Sequence, residues 1–116
     1  MVKTLEQMEI DIRDKMRGGN GQIKITHVFK QDELHGKARL FASMTLEPGS
    51  SVGYHVHENE EEIYYIISGE AEVDDNGEIR RLSSGDALLT SSGKGHSIKN
   101  SGEKPLEILA VILLYN

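Results

Sequence analysis

The sequence predicts an all-β fold, an antiparallel sandwich or barrel entered through a short N-terminal α-helix. Three observations carry this expectation. From residue 22 onward, apolar side chains recur at every second position, Ile23 and Ile25 and then Ala38, Leu40, Ala42, Met44 and Leu46, the period of a strand with one buried face. Turns bearing glycine or proline punctuate the chain at Pro48-Gly49, Ser68-Gly69, Asn76-Gly77, Ser84-Gly85 and Gly93-Lys94-Gly95, so the strands between them must be short. The 116 residues also fall below the ~150 that serve as a prior for one domain. Residues 1–116 are therefore expected to form a single domain, with the helix and its turn at 1–19 and the barrel at 22–116.

Taken in order, Thr4 and Gln7 have the spacing of a capping box, and Leu5, Met8, Ile12 and Met16 follow at intervals of three and four. They form one helical stripe, which Gly18 and Gly19 then stop. Asn76-Gly77 is the strongest hairpin signal, because both residues tolerate the left-handed backbone of a two-residue turn. The stretches Ile63–Ile67 and Leu106–Leu114 are apolar on both strand faces and need cover from two sides. So short a chain has little material for a second layer. An identical partner is the expected cover and a homodimer is predicted, the alternative being that the N-terminal helix covers these strands.

Composition narrows the function classes. The net charge of −6 opposes a phosphate backbone or an anionic lipid surface, so neither nucleic acid nor membrane is an expected partner. Without cysteine there is no disulfide framework, no thiolate zinc site and no cysteine nucleophile, and any metal must be held by nitrogen and oxygen. Met1–Asp14 mixes charged with apolar residues and lacks the apolar core of a secretory signal. The apolar run Leu106–Tyr115 is interrupted by Glu107 and is too short to cross a bilayer as a helix. A cytoplasmic protein is expected.

Chemistry concentrates in four residues. His55 and His57 are two apart, a spacing that turns both imidazoles to the same face of a strand, ~6.6 Å apart along the chain. Glu62 opens the next strand, and its carboxylate can reach the same point if that strand pairs with the first. His96 lies in a different hairpin and can approach if the sheet curls, as in a closed barrel. Three imidazoles and a carboxylate suit one divalent transition metal, Mn, Fe, Co, Ni, Cu or Zn, rather than Ca or Mg. A divalent ion on this set keeps a net charge of +1 and two adjacent open positions, so it attracts carboxylates and enolates and can polarise them.

Residues 49–69 read GSSVGYHVHENEEEIYYIISG, which matches the pattern G-x5-H-x-H-x4-E-x6-G at every fixed position. Residues 85–100 read GDALLTSSGKGHSIKN, close to G-x5-P-x-G-x2-H-x3-N except that Ser91 stands at the proline position. In both motifs, and in the short spacer Glu70–Ser84, the chain resembles the small single-domain cupins. The resemblance implies a double-stranded β-helix, or jelly-roll barrel, with a metal on the matching residues His55, His57, Glu62 and His96. Glu60 and Glu61 compete for the carboxylate role, but only Glu62 leaves six residues before Gly69 and stays in phase with Tyr64. Glu58 to Glu61 is read as a solvated loop.

Strand parity places Tyr64 and Ile66 beside Glu62 and Ile98 beside His96 as cavity candidates, and Lys94 could attract an anionic substrate from its turn. Met44 or Phe41 can contribute from the earlier strand; His35 is read as a surface residue and His27 stays open. Cupins with this ligand set include dioxygenases, oxalate decarboxylases, and sugar or keto-acid isomerases, so the resemblance implies a site and a small-molecule ligand rather than one reaction. A dioxygenase-like or related oxidoreductase or lyase activity on a small oxygen-rich or carbonyl substrate is the least demanding fit. A non-catalytic metal- and metabolite-binding module is the alternative. An isomerase is less attractive, because phosphomannose isomerase variants commonly carry glutamine where His55 stands.

Overall fold

In the computed structural model, which describes residues Met1–Asn116, ten strands form two facing antiparallel sheets. They are β1 (Glu9–Asp14), β2 (Gln22–Phe29), β3 (Ala38–Leu46), β4 (Ser51–Val56), β5 (Glu60–Ser68), β6 (Glu70–Asp75), β7 (Glu78–Ser83), β8 (Ala87–Thr90), β9 (Gly95–Asn100) and β10 (Leu106–Leu114). One sheet has the order β1-β2-β3-β10-β5-β8 and the other β4-β9-β6-β7. Many neighbours in space are distant in sequence, the wrapped connectivity of a jelly roll.

The period-two pattern places the core between the sheets. Ile23, Ile25, Ala42, Met44, Leu46, Ile108 and Ala110 point inward from the larger sheet and Val52, Ala71, Val73 and Ile98 from the smaller. Register keeps them level: Met44 lies opposite both Ile25 and Ile108, and Ile98 lies opposite both Val52 and Val73. The Asn76-Gly77 turn joins β6 to β7 as expected, with φ of 50° and 99°, and Asp74 accepts a bond from the Gly77 N–H at 2.7 Å.

The expected N-terminal α-helix does not form. Leu5–Gln7 makes one 3-10 turn, in which the Thr4 N–H donates to Gln7 Oε1, and the chain then extends as β1 along the edge of β2, from Glu9 opposite His27 to Asp14 opposite Gln22. The alternation Glu9-Ile10-Asp11-Ile12-Arg13-Asp14 competes with the helical stripe, and pairing with β2 decides between them. This has a consequence for cover. A strand added to a sheet edge lengthens that sheet without shielding its face, so Ile10, Ile12, Tyr65 and Leu89 remain 43–55% exposed on the outer side of the larger sheet. No helix is long and apolar enough to cross a membrane.

Candidate metal centre

Two strands of the smaller sheet and one of the larger bring four donors together. His55 on β4 lies directly opposite His96 on the adjacent strand β9, so their approach needs no curl of the sheet. His57 follows β4 and is tied to the β8–β9 turn by two backbone bonds: its N–H donates to Lys94 O at 3.2 Å and its carbonyl accepts from the Gly93 N–H at 2.7 Å. Glu62 arrives from the facing sheet, because β5 pairs with β10 and β8 rather than with β4. The approach of Glu62, conditional in the sequence on β5 pairing with β4, is made without that pairing. Jelly-roll wrapping places them across the core from one another.

One donor atom of each of the four lies within 4.8 Å of the other three. The Glu62 Oε1 stands 3.0 Å from His57 Nε2 and 3.1 Å from His96 Nε2, and His96 Nε2 stands 3.2 Å from His57 Nε2 and 3.3 Å from His55 Nε2. Metal–nitrogen bonds of ~2.1 Å set their ligand atoms ~3.0 Å apart at right angles and ~3.4 Å apart at the tetrahedral angle. The four short separations fall in that interval.

The outer ring nitrogens explain why the inner ones converge. His55 Nδ1 donates to Gly53 O at 2.8 Å, and His57 Nδ1 donates to Glu60 Oε2 at 2.7 Å. Neither acceptor carries a proton, so in the neutral tautomer both rings turn an Nε2 lone pair inward; the Thr90 hydroxyl, 2.7 Å from His96 Nδ1 and able to donate or accept there, fixes the orientation of the third ring. Lone pairs that face each other repel unless a proton or a cation lies between them. The donor set therefore fits a transition-metal ion in number, chemistry and spacing.

Charge follows the same design. Burial lowers the His55 pKa, which keeps that ring neutral. His57 is raised, first by its hydrogen bond to Glu62, against the cost of burial. Burial pushes Glu62 upward, but bonds from His57 and His96 outweigh it and hold the carboxyl below its ordinary value. Glu60 is held at about 2, first by Arg39, whose Nε and Nη2 both donate to it at 2.7 Å. Glu60 is thus no part of a solvated loop; it opens β5 and shares a strand face with Glu62, an i, i+2 relation that was open to a reading by parity. Glu61 points the other way and accepts a bond from the Tyr115 hydroxyl at 3.1 Å.

His55, His57 and Glu62 line a cavity of about 430 Å³, and His96 is fully buried beside them. Tyr64 and Met44 line the cavity, and the Tyr64 ring stacks on His96 at 4.7 Å with an interplanar angle of 11°. Burial, reinforced by the Glu62 carboxylate, keeps the Tyr64 hydroxyl well above its ordinary pKa and therefore protonated. Ile66 and Ile98 are buried in the core, Lys94 is exposed on its turn, and none of the three lines the cavity. Phe41 falls on the other side of β3, near Phe29, while His27 lines the cavity and His35 is exposed. The Ser91 turn keeps its bend without proline: Ser91 O accepts the Lys94 N–H at 3.1 Å, and Ser92 Oγ accepts the Asn59 N–H at 2.8 Å. The sequence reading missed a mostly cationic mouth, to which Arg13, Lys15, Arg17 and Arg39 contribute beside one carboxylate, Asp14.

A family model described as Cupin domain matches residues 42–112. An oxalate-binding protein from Thermotoga maritima is 52% identical over 99 residues, which cover 85% of this chain and 82% of the relative. A crystal structure from Thermotoga maritima, described as a predicted oxalate decarboxylase, superimposes with a TM-score of 0.93 at 47% identity, over 98% of this chain and 99% of that one. A protein with a double-stranded β-helix domain from Klebsiella pneumoniae aligns with a TM-score of 0.64 at 30% identity, over 72% of this chain and 73% of its own.

Proposed function

The chain belongs to the cupin family, and from that premise we propose that it holds one divalent transition-metal ion on His55, His57, Glu62 and His96 and uses it to bind and cleave a small oxygen-rich acid. The observation that carries this reading is the convergence of three Nε2 atoms and one carboxylate oxygen beside a cavity lined by His55, His57 and Glu62, whose mouth carries four cationic side chains. When bound, the ion supplies Lewis acidity and open positions for an acid that chelates it. Gly53, Glu60 and Thr90 aim the three rings. Met44 and Ile112 give the cavity apolar wall, which limits water around a bound acid. Loss of carbon dioxide from a dicarboxylic acid leaves a carbon that must take up a proton, and the protonated Tyr64 hydroxyl is placed to hold one.

The names borne by the two Thermotoga relatives favour oxalate-type acids over diketones or sugars, and carbon–carbon cleavage of such an acid, as a lyase or with oxygen, is the reaction class proposed. His55 at the position where phosphomannose isomerase variants commonly carry glutamine weighs against isomerisation. The uncovered apolar face of the larger sheet supports a homodimer.

Elemental analysis of protein purified without an affinity-metal column should find close to one transition metal per chain. Assays of oxalate, keto acids and hydroxy acids, with and without oxygen, should then show release of carbon dioxide that His96→Ala abolishes. Saturable binding of an acid without any product would make the protein a binding module, and absence of both metal and acid binding would overturn the reading.

A further inference from the structure

The segment between β1 and β2 holds two residues in costly conformations. Lys15 lies at φ 50° and Arg17 at φ 54°, in the left-handed region that residues bearing a Cβ seldom occupy, and Gly18 follows at φ 79°. Two turn bonds close the segment on itself, the Gly18 N–H donating to Lys15 O and the Gly19 N–H to Met16 O, both at 2.9 Å. Two more fasten it to the strand that carries His55: the Ser51 N–H donates to Asn20 O and the Asn20 N–H to Ser51 Oγ, again at 2.9 Å. Contact with that strand is close enough to require glycine on both sides. A Cβ on Gly53 would stand 2.0 Å from Arg17 O, and one on Gly19 would stand 2.1 Å from Ser51 O. Strain retained against such close packing is a feature of functional sites.

The side chain held in this way lines the same cavity as His55, His57, Glu62 and Tyr64. Its charge is felt at both His55 and Tyr64, as the smallest of the effects on each. Of the four cations at the mouth, Arg13 is bound to Asp11 and Arg39 to Glu60, whereas Arg17 and Lys15 make no ion pair. In a chain of net charge −6, carboxylates to pair with them are plentiful. A metal centre of net charge +1 and a free guanidinium beside one cavity repel each other, and a ligand with two negative charges relieves both. A guanidinium also matches a carboxylate in geometry, through two parallel N–H···O bonds.

We propose that Arg17 makes the site selective for dianions: it binds the second carboxylate of a small dicarboxylate whose first carboxylate lies at the metal, with Lys15 adding charge at the mouth. The proposal rests on the metal-and-acid reading of the site and names the ligand class within it.

The test uses the full chain loaded with Mn²⁺, titrated calorimetrically with oxalate and malonate and with the monoanions formate and acetate, alongside metal content. Wild type is expected to bind the dicarboxylates more tightly than the monocarboxylates. Arg17→Gln should weaken dicarboxylate binding by roughly 10- to 100-fold, the scale of a charge-assisted hydrogen-bonded pair, while metal content and monocarboxylate affinity stay unchanged. Arg17→Lys, which keeps the charge but not the fork, should recover part of the loss, as a merely structural residue would not. Dicarboxylate binding by Arg17→Gln equal to that of wild type overturns the proposal and leaves the metal-and-acid reading standing. Failure of wild type itself to hold metal or bind any of these acids removes both.

Discussion

Glu62 and Glu61 are neighbours in sequence, yet strand alternation sends them to opposite faces of β5, one into the donor cluster and the other toward Tyr115. Removing the charge of each therefore has different consequences. Glu62→Gln should lower metal affinity by more than ~100-fold, while Glu61→Gln leaves it unchanged, both read as metal content after mild chelation; the residues that orient the rings set the lower scale, since Glu60→Gln and Thr90→Val should each cost ~10–100-fold. Equal losses from Glu61→Gln and Glu62→Gln would show that the carboxylate was misassigned. The four donors were legible in the sequence because their spacing is local within each motif and parity does the rest. Thr90 and Arg17 were not, since their relation to the cluster comes from non-local contacts: Thr90 stands opposite Glu62 across the β5–β8 pairing, and Arg17 is set by the seat of its loop on β4.

At the scale of elements, the N-terminal segment shows where periodicity alone misleads. Leu5, Met8, Ile12 and Met16 describe a helix as well as Ile10 and Ile12 describe a strand, and only the partner β2, available after the chain turns back, resolves the tie. The segment before β1 is held by charge, with Lys3 bonded to Glu33 and lying 5.5 Å over the Phe29 ring. The bond to Lys3 is the largest of the effects that lower the Glu33 pKa, so the stabilisation is present above the ordinary carboxylate range and fades as pH falls through the depressed value. Limited proteolysis should accordingly cut within residues 1–8 faster near pH 3 than at pH 7, and Lys3→Gln should abolish that difference. The loop after β1 makes a sharper prediction. Gly19→Ala forces a Cβ against the Ser51 carbonyl and should destabilise the fold by about 1–3 kcal/mol in denaturant unfolding, as overpacking does. Gly18→Ala meets nothing within 4 Å and should cost only the ~1–2 kcal/mol of a left-handed residue with a side chain.

For the whole molecule, the two-faced apolar strands carry the remaining argument. Register places Ile10, Phe41, Leu109, Val111, Ile63, Tyr65 and Leu89 on the outer face of the larger sheet; Phe41, Val111, Ile63 and Leu89 form one level apolar row with Phe29 of β2 beside Phe41, while the row from Ile10 to Leu109 and Tyr65 is interrupted by Thr26 and Ser43. Six strands at ~4.8 Å spacing and ~17–20 Å length present roughly 500 Å² before side-chain relief is counted, at the limit of what monomers usually expose and close to the ~800 Å² that each partner contributes to a standard interface. A second copy offers the same flat, nearly uncharged stripe, and a two-fold axis lets each face cover the other. The face lies on the opposite side of the sheet from Glu62, so an introduced charge should separate the protomers without touching the donor cluster. Light scattering should find wild type as a dimer at micromolar concentration and Tyr65→Glu with Leu89→Lys as a folded monomer of unchanged metal content. A dimer that survives this double substitution would place the interface elsewhere, and a wild-type monomer at every concentration would mean that the stripe is simply exposed.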